Sequence, residues 1–235
     1  MKNIAIALLC LSMSNVAMAQ YQRAEAVPKV ELSSSVQMQT MSANSVAPKQ
    51  APNSITPISI GTKVILSEIS LVDVVSQQTI NLEEMKMKNG TLIMFSCNTC
   101  PFVVKAQPRT AEMMKYAKNN NIGFVIINSN EAQRMDVDSR DKMETYANEN
   151  NYMYYFVDEN SKIADLFGAT KTPEVYLLNA NNELVYTGAM DDNPSSPDEA
   201  KIYYLKDAMN ALNDGKEIKT TTSKSVGCSI KRVKK

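Results

Sequence analysis

Three short apolar runs stand out in the central part of the chain, and longer amphipathic stretches separate them. Residues 71–75, 91–96 and 122–127 form these runs, which indicate buried β-strands. Residues 91–96 are mostly apolar at successive positions, so we expect a central strand with both faces covered. Residues 101–118 begin with a proline that suits the first helical turn, and they are predicted to form a helix.

The remaining elements are predicted from turn and capping residues. A proline at 173 opens a strand, and Asn181-Asn182 predicts the turn to its hairpin partner. Ser196-Pro197, followed by two acidic residues, predicts the start of a helix with one apolar face that ends at Gly215. The predicted strands are 154–157, 174–178 and 183–187. The predicted helices run from Asp138 or Ser139 to 150, from 161 to 167, and from 196 to 215. The apolar face of the last helix is predicted to contain Ile202, Leu205, Met209 and Leu212. This order predicts an α/β fold, with a central mixed sheet flanked by helices on both faces.

The two ends of the chain differ in composition from its centre. Residues 1–19 have a short basic start, an apolar run and the sequence Ala17-Met18-Ala19, which together predict a secretory signal peptide cleaved near Ala19. A buried helix is the alternative for this segment. Residues 20–57 are rich in Ser, Gln, Ala and Pro, which predicts a flexible linker. The folded domain is therefore expected at 58–216, followed by a mostly irregular C-terminal tail at 217–235.

Charge and composition exclude several kinds of function. Lys and Arg total 25, as do Asp and Glu, so nothing favours nucleic acid or a membrane surface as a partner. The basic residues at the C-terminus are expected to form a solvated tail. The chain has no histidine, which excludes Ser-His and Cys-His catalysis and histidine-ligated metals. We expect neither a metal nor a cofactor, and no stable membrane insertion of the mature chain.

A Cys-x-x-Cys pair could support cysteine chemistry, which the composition does not exclude. Cys97 and Cys100 lie between the predicted central strand and the helix that begins at Pro101. The N-terminus of a helix can stabilise a thiolate, so this position favours thiol–disulfide chemistry. The alternatives are a structural disulfide and, less favoured, a zinc site, which usually needs four ligands. Cys228 is the third cysteine that remains after the predicted signal peptide is removed.

At these residues the chain resembles the thioredoxin superfamily, over roughly residues 58–230. The Cys97/Cys100 pair carries the resemblance, together with Thr172-Pro173 before a strand and the hairpin and helix that follow. A narrower resemblance is to its peroxiredoxin-like branch, called redoxin or the alkyl hydroperoxide reductase/thiol-specific antioxidant family. Four stretches carry it: residues 95–103, 127–130, 172–174 and 227–230. The resemblance implies a thioredoxin-like fold with a cis-proline at Pro173 beside the sulfurs.

Each candidate residue receives an expected role. We expect Cys97 at the exposed lip of the strand–helix turn, where a lowered pKa makes it the nucleophile, and Cys100 as the thiol that resolves its mixed disulfide. The resemblance implies that Thr172 and Pro173 form the substrate-binding wall, with the Thr172 backbone pairing to the substrate. Cys228 is either an additional resolving cysteine carried by a mobile tail or a free or buried thiol.

Three functions follow from these expectations. The first is an exported thiol–disulfide oxidoreductase, periplasmic or extracellular, that exchanges electrons with protein disulfides and dithiols and with a thiol electron donor. The second is a thiol peroxidase, although Ile93 and Cys97 stand where the peroxiredoxin motif has its proline and threonine. The third is a non-catalytic binding module, against which the intact cysteine pair argues. The sequence leaves the direction of electron transfer open.

Overall fold

A computed structural model of the protein describes residues 55–234. The predicted signal peptide, 1–19, and residues 20–54 of the predicted linker lie outside them. Thr56 and Pro57, at the end of the predicted linker, pack against Gly168. A Cβ atom built on Gly168 would lie 2.1 Å from the Thr56 carbonyl oxygen. The described part of the C-terminal tail, 217–234, belongs to the same compact unit as the rest of residues 55–234.

Nine strands and four α-helices form the described fold. The strands are β1 (Ser70–Asp73), β2 (Thr79–Asn81), β3 (Gly90–Ser96), β4 (Ile122–Asn128), β5 (Phe156–Val157), β6 (Lys171–Thr172), β7 (Glu174–Asn179), β8 (Leu184–Gly188) and β9 (Cys228–Ser229). The helices are α1 (Pro101–Asn119), α2 (Arg140–Glu149), α3 (Lys162–Phe167) and α4 (Tyr204–Asn213). Short 3₁₀ helices connect several of these elements. Within residues 55–234, no helix is both long and apolar enough to cross a membrane.

Seven strands form one mixed sheet in the order β2-β1-β5-β4-β3-β7-β8. Strands β3, β4 and β5 are parallel, whereas β7 pairs antiparallel with β3, and β8 pairs antiparallel with β7. The prediction of a mixed α/β sheet is therefore confirmed, and so is the thioredoxin-like fold. Strands β6 and β9 form a separate two-stranded pair that sequence patterns did not predict.

Strand β3 lies at the centre of this sheet and is buried on both faces. Ile93 and Phe95 belong to the apolar core on one face, which also contains Phe167 of α3. Leu92 and Met94 belong to the core on the other face, beneath α1 and α4. This alternation confirms the prediction of a central strand that leads directly to the cysteine pair.

The last helix begins later than predicted. Ser196 and Pro197 lead only into a short 3₁₀ turn, Pro197–Glu199, and α4 starts at Tyr204. The interruption has a local cause, because an Asp192 carboxylate oxygen accepts the backbone N–H groups of Lys201 and Ile202, at 2.9 and 3.2 Å. Ile202 is consequently exposed rather than part of the apolar face, whereas Leu205 and Met209 are buried as predicted.

Candidate active site

The end of β3 and the start of α1 position the cysteine pair. Cys97 follows the last residue of β3, and Cys100 is the N-cap of α1, with Pro101 in the first helical turn. The backbone N–H of Val104 donates to the Cys100 carbonyl at 3.0 Å, which fixes the first turn. Cys100 therefore lies at the end of the helix where N–H groups favour negative charge.

A buried carboxyl group holds the loop between the two cysteines. Asp138 accepts the backbone N–H of Asn98 at 2.9 Å and the side-chain amides of Asn128 and Asn130 at 2.8 and 2.9 Å. The Asn98 side chain donates in turn to the Val137 carbonyl at 2.9 Å. Sequence reasoning considered Asp138 only as a helix cap, but Ser139 is the N-cap of α2. Asp138 instead acts as the acceptor that positions the cysteine loop.

Thr172 and Pro173 form one wall of the site. The Thr172–Pro173 peptide bond is cis, as the resemblance implied. The Cys97 Sγ lies 3.3 Å from the Thr172 hydroxyl, and the Cys100 Sγ lies 3.3 Å from the Thr172 carbonyl oxygen. Glu174 holds the preceding loop by accepting two backbone N–H groups, from Thr170 and Lys171. Both sulfurs of the pair therefore contact the same residue.

The third cysteine, Cys228, lies beside Cys97 and Cys100. Strand β9 pairs antiparallel with β6, so that Cys228 is opposite Thr172. Cys228 packs against the cluster formed by Cys97, Cys100 and Val103. Within residues 55–234, all three cysteines are free thiols. The structure therefore holds Cys228 beside the pair without any movement of the tail.

The expectation that Cys97 is exposed is wrong. Cys97 retains 2% of its accessible surface and Cys100 retains 4%, so both are buried. The cover consists of side chains that pack against the pair, from Phe102, Tyr146 and Cys228. These groups come from α1, α2 and β9, which are far apart in sequence, and a local motif does not predict their convergence.

Hydrogen bonding favours the thiolate on Cys100 and the thiol on Cys97. The Cys97 thiol donates to Cys100 and lowers its pKa to about 4, and the thiol and backbone N–H of Cys228 add to this effect against the opposing effect of burial. The same hydrogen bond raises the pKa of Cys97, as do burial and the negative charge of Asp138. The Thr172 carbonyl near Cys100 favours the protonated form, but several donors outweigh this single acceptor. This direction differs from the sequence expectation, in which Cys97 carries the lowered pKa.

A pH titration of the reduced protein tests this assignment. Because the pKa of Cys100 is lowered to about 4, we expect ultraviolet thiolate absorbance to appear as the pH rises through that value. Cys100→Ser should lose this step, since burial still raises the pKa of Cys97 and of Cys228. The assignment is wrong if the thiolate absorbance of the wild-type protein appears only near pH 9.0, the ordinary pKa of a cysteine thiol.

The fold and the convergent thiols define the class of the protein, a redox protein of the thioredoxin fold. The family model described as Redoxin matches residues 50–205. This match spans more than half of the chain, and the chain therefore belongs to the Redoxin family. The narrower resemblance noted in the sequence is confirmed at the level of the family.

Solved structures support the same fold. The chain is 30% identical to an uncharacterized conserved protein from Geobacillus kaustophilus, with a TM-score of 0.70, covering 75% of this chain and 94% of that one. It is 28% identical to a hypothetical protein from Sinorhizobium meliloti 1021, with a TM-score of 0.67, covering 76% of this chain and 97% of that one. Among curated proteins, no significant match was found.

Proposed function

We propose that the protein is a thiol–disulfide oxidoreductase whose Cys97/Cys100 pair alternates between dithiol and disulfide. The observation that carries the proposal is that Cys97 and Cys100 lie in one buried cluster, with each sulfur 3.3 Å from an oxygen of Thr172. Formation of the Cys97–Cys100 disulfide supplies two electrons, which reduce a partner disulfide to two thiols. The partners are protein disulfides or dithiols, and a separate thiol donor restores the dithiol.

Each residue of the site has a distinct role in this proposal. Cys100 is the thiolate, because its pKa is lowered, and Cys97 supplies the second thiol of the couple. Thr172 and Pro173 form the wall against which the sulfurs and the partner are aligned. Cys228 takes part through a transient disulfide with Cys100, a role that its packing against the pair supports.

The proposed place of action is outside the cytoplasm. The support comes from the predicted signal peptide at residues 1–19, whose removal near Ala19 leaves a periplasmic or extracellular protein. An exported dithiol encounters an oxidising environment, where disulfides form and persist. A thiol donor outside the cytoplasm is therefore part of the proposal.

Disulfide mapping at redox equilibrium tests the proposed couple. The protein purified from Gln20 onward is equilibrated with mixtures of reduced and oxidised glutathione, quenched with acid and alkylated. We expect two thiols to disappear together and peptide mapping to find a Cys97–Cys100 disulfide with Cys228 free. If both thiols of the pair stay reduced in oxidised glutathione while the fold is intact, the proposal is wrong.

Reduction of hydroperoxides is a second candidate function. It is favoured by the buried Cys100 thiolate, which a small peroxide reaches more easily than a protein disulfide does. Cys100 would take one peroxide oxygen as a sulfenic acid and release water or an alcohol; Cys97 would then form the disulfide and release water. Peroxide consumption that is unchanged in Cys100→Ser would exclude this candidate.

A further inference from the structure

The segment that covers the cysteine pair is fixed at both ends. We call residues 221–232 the C-terminal strap. At its first end, the Ser223 backbone N–H donates to the Thr187 carbonyl at 3.0 Å. The Ser223 hydroxyl shares a 2.7 Å hydrogen bond with the Tyr186 hydroxyl and accepts the Ala189 N–H at 2.9 Å. These contacts attach the strap to β8 and the turn after it.

The other end of the strap is held more strongly. Ile230 is buried in the core. The backbone N–H of Lys231 donates to the Asn130 side chain at 2.8 Å, and the Arg232 guanidinium donates to Asp165 at 2.8 Å. Displacing this end would expose the Ile230 side chain to water and break these hydrogen bonds. The free-energy cost of that displacement opposes opening of the strap.

Between these anchors the strap passes directly over the pair. A Cβ atom on Gly227 would lie 2.1 Å from the Thr172 carbonyl oxygen, so the two backbones touch. The same carbonyl lies 3.3 Å from the Cys100 sulfur. Cys97 and Cys100 are buried beneath this contact, whereas Cys228 is only partly buried. A bulky disulfide therefore meets Cys228 before it meets either member of the pair.

We propose that Cys228 is the catalytic thiol that exchanges with bulky external disulfides, and that Cys97 and Cys100 act behind it as an internal dithiol. This inference rests on the proposed oxidoreductase function and specifies which sulfur meets the partner. Its basis is geometric: three thiols lie in contact, and the strap leaves one of them accessible. The positive charges of Lys231 and Lys171 lower the pKa of Cys228, against the larger opposing effects of burial and of Cys100.

The exchange proceeds through three disulfides that form in turn. The Cys228 thiol loses its proton to solvent, attacks one sulfur of the partner disulfide as the thiolate, and releases the other sulfur as a thiolate, which takes a proton from solvent. The Cys100 thiolate then attacks the Cys228 sulfur and releases the second partner thiolate, which is protonated by Cys97. Finally the Cys97 thiolate attacks Cys100 and frees Cys228 as a thiolate. The partner gains two electrons and two protons, and the protein gains the Cys97–Cys100 disulfide.

Cys228 reacts through a small thiolate fraction. Burial and the hydrogen bond and charge of Cys100 raise the pKa of Cys228 to about 11. Cys100 does not serve as its base, because a thiolate whose pKa is lowered to about 4 binds a proton too weakly. The advantage of Cys228 is access, since Cys97 and Cys100 are buried beneath the strap.

Variants that retain one cysteine each identify the attacking sulfur. The probe is insulin, which carries the disulfides, and mixed disulfides are counted by mass spectrometry after acid quenching. We expect the variant that keeps only Cys228 (Cys97→Ser with Cys100→Ser) to form a mixed disulfide at least about tenfold faster than the variants that keep only Cys97 or only Cys100. Faster capture at Cys97 or Cys100 would overturn the inference.

Two further measurements separate this inference from misfolding and from failure of the proposed function. In the unmodified protein, a brief pulse of a bulky maleimide should label Cys228 before the pair. Cys228→Ser should reduce insulin at least about tenfold more slowly than the wild type does, yet its pair should still be oxidised by the small reagent diamide. Ser229→Ala, on the same strand, should match the wild type. If the wild type reduces insulin and Cys228→Ser is equally active, only this inference is wrong. If the wild type does not reduce insulin, both the proposed function and this inference are wrong.

Discussion

Replacing Cys100 with serine is expected to lower the rate of disulfide reduction by at least about 1,000-fold. A serine hydroxyl cannot form a disulfide, and Cys100 is the sulfur that both Cys97 and Cys228 contact. Its removal breaks the couple and also disconnects the third thiol from the pair. The measurement is the initial rate of insulin reduction at a fixed concentration of dithiothreitol.

Two control variants test whether the loss of rate is specific to Cys100. Val104→Ser changes an exposed position on the same helix, α1, and should keep the wild-type rate. Cys97→Ser should retain more activity than Cys100→Ser, because a Cys100–Cys228 disulfide can still form and be reduced by the donor. A Cys100→Ser protein that keeps more than about a tenth of the wild-type rate would contradict the role given to this thiolate.

Replacing Asp138 with alanine is expected to lower the free energy of unfolding by about 3–5 kcal/mol. Asp138 is completely buried and accepts hydrogen bonds from the Asn98 backbone and from the side chains of Asn128 and Asn130. Alanine leaves these three donors without that partner in a region from which water is largely excluded. The loop between the cysteines should lose its fixed position, so the rate of disulfide reduction should fall as well.

Asp136 offers the matched control for this prediction. Its side chain retains 76% of its surface, and its ion pair with Lys142 spans 3.6 Å at the surface. Asp136→Ala should therefore change the unfolding free energy by less than about 0.5 kcal/mol. Chemical denaturation of the three proteins measures both effects. A loss below about 1 kcal/mol in Asp138→Ala would show that this carboxyl group does not hold the loop.

Local patterns were sufficient to predict the scaffold of the site. The apolar run of β3 is buried on both faces, and Pro101 begins α1, so the position of Cys97 and Cys100 at a strand–helix junction followed from the sequence. The cis bond before Pro173 was implied by the resemblance and is present. These features depend on residues close together in the chain.

The features that sequence reasoning missed depend on residues far apart in the chain. Strands β6 and β9 are two residues long each, too short for any periodicity to predict their pairing. That pairing places Cys228 against the buried pair, and the lowered pKa of Cys100 arises first from Cys97 and then from Cys228. Asp138 resembled a helix cap because its bond to Asn98 spans 40 residues of sequence. The stretch from Ile127 to Asn130 carried part of the family resemblance, and it was the available signal for this network.

A single-turnover reaction tests most directly whether the Cys97/Cys100 couple reduces disulfides, as proposed. Fully reduced protein is mixed with insulin in the absence of any other reductant, quenched with acid at intervals, and analysed by alkylation and peptide mapping. We predict that two protein thiols are lost for each insulin disulfide that is reduced, and that the product is the Cys97–Cys100 disulfide. Insulin that stays oxidised while Cys97 and Cys100 stay reduced would contradict this account.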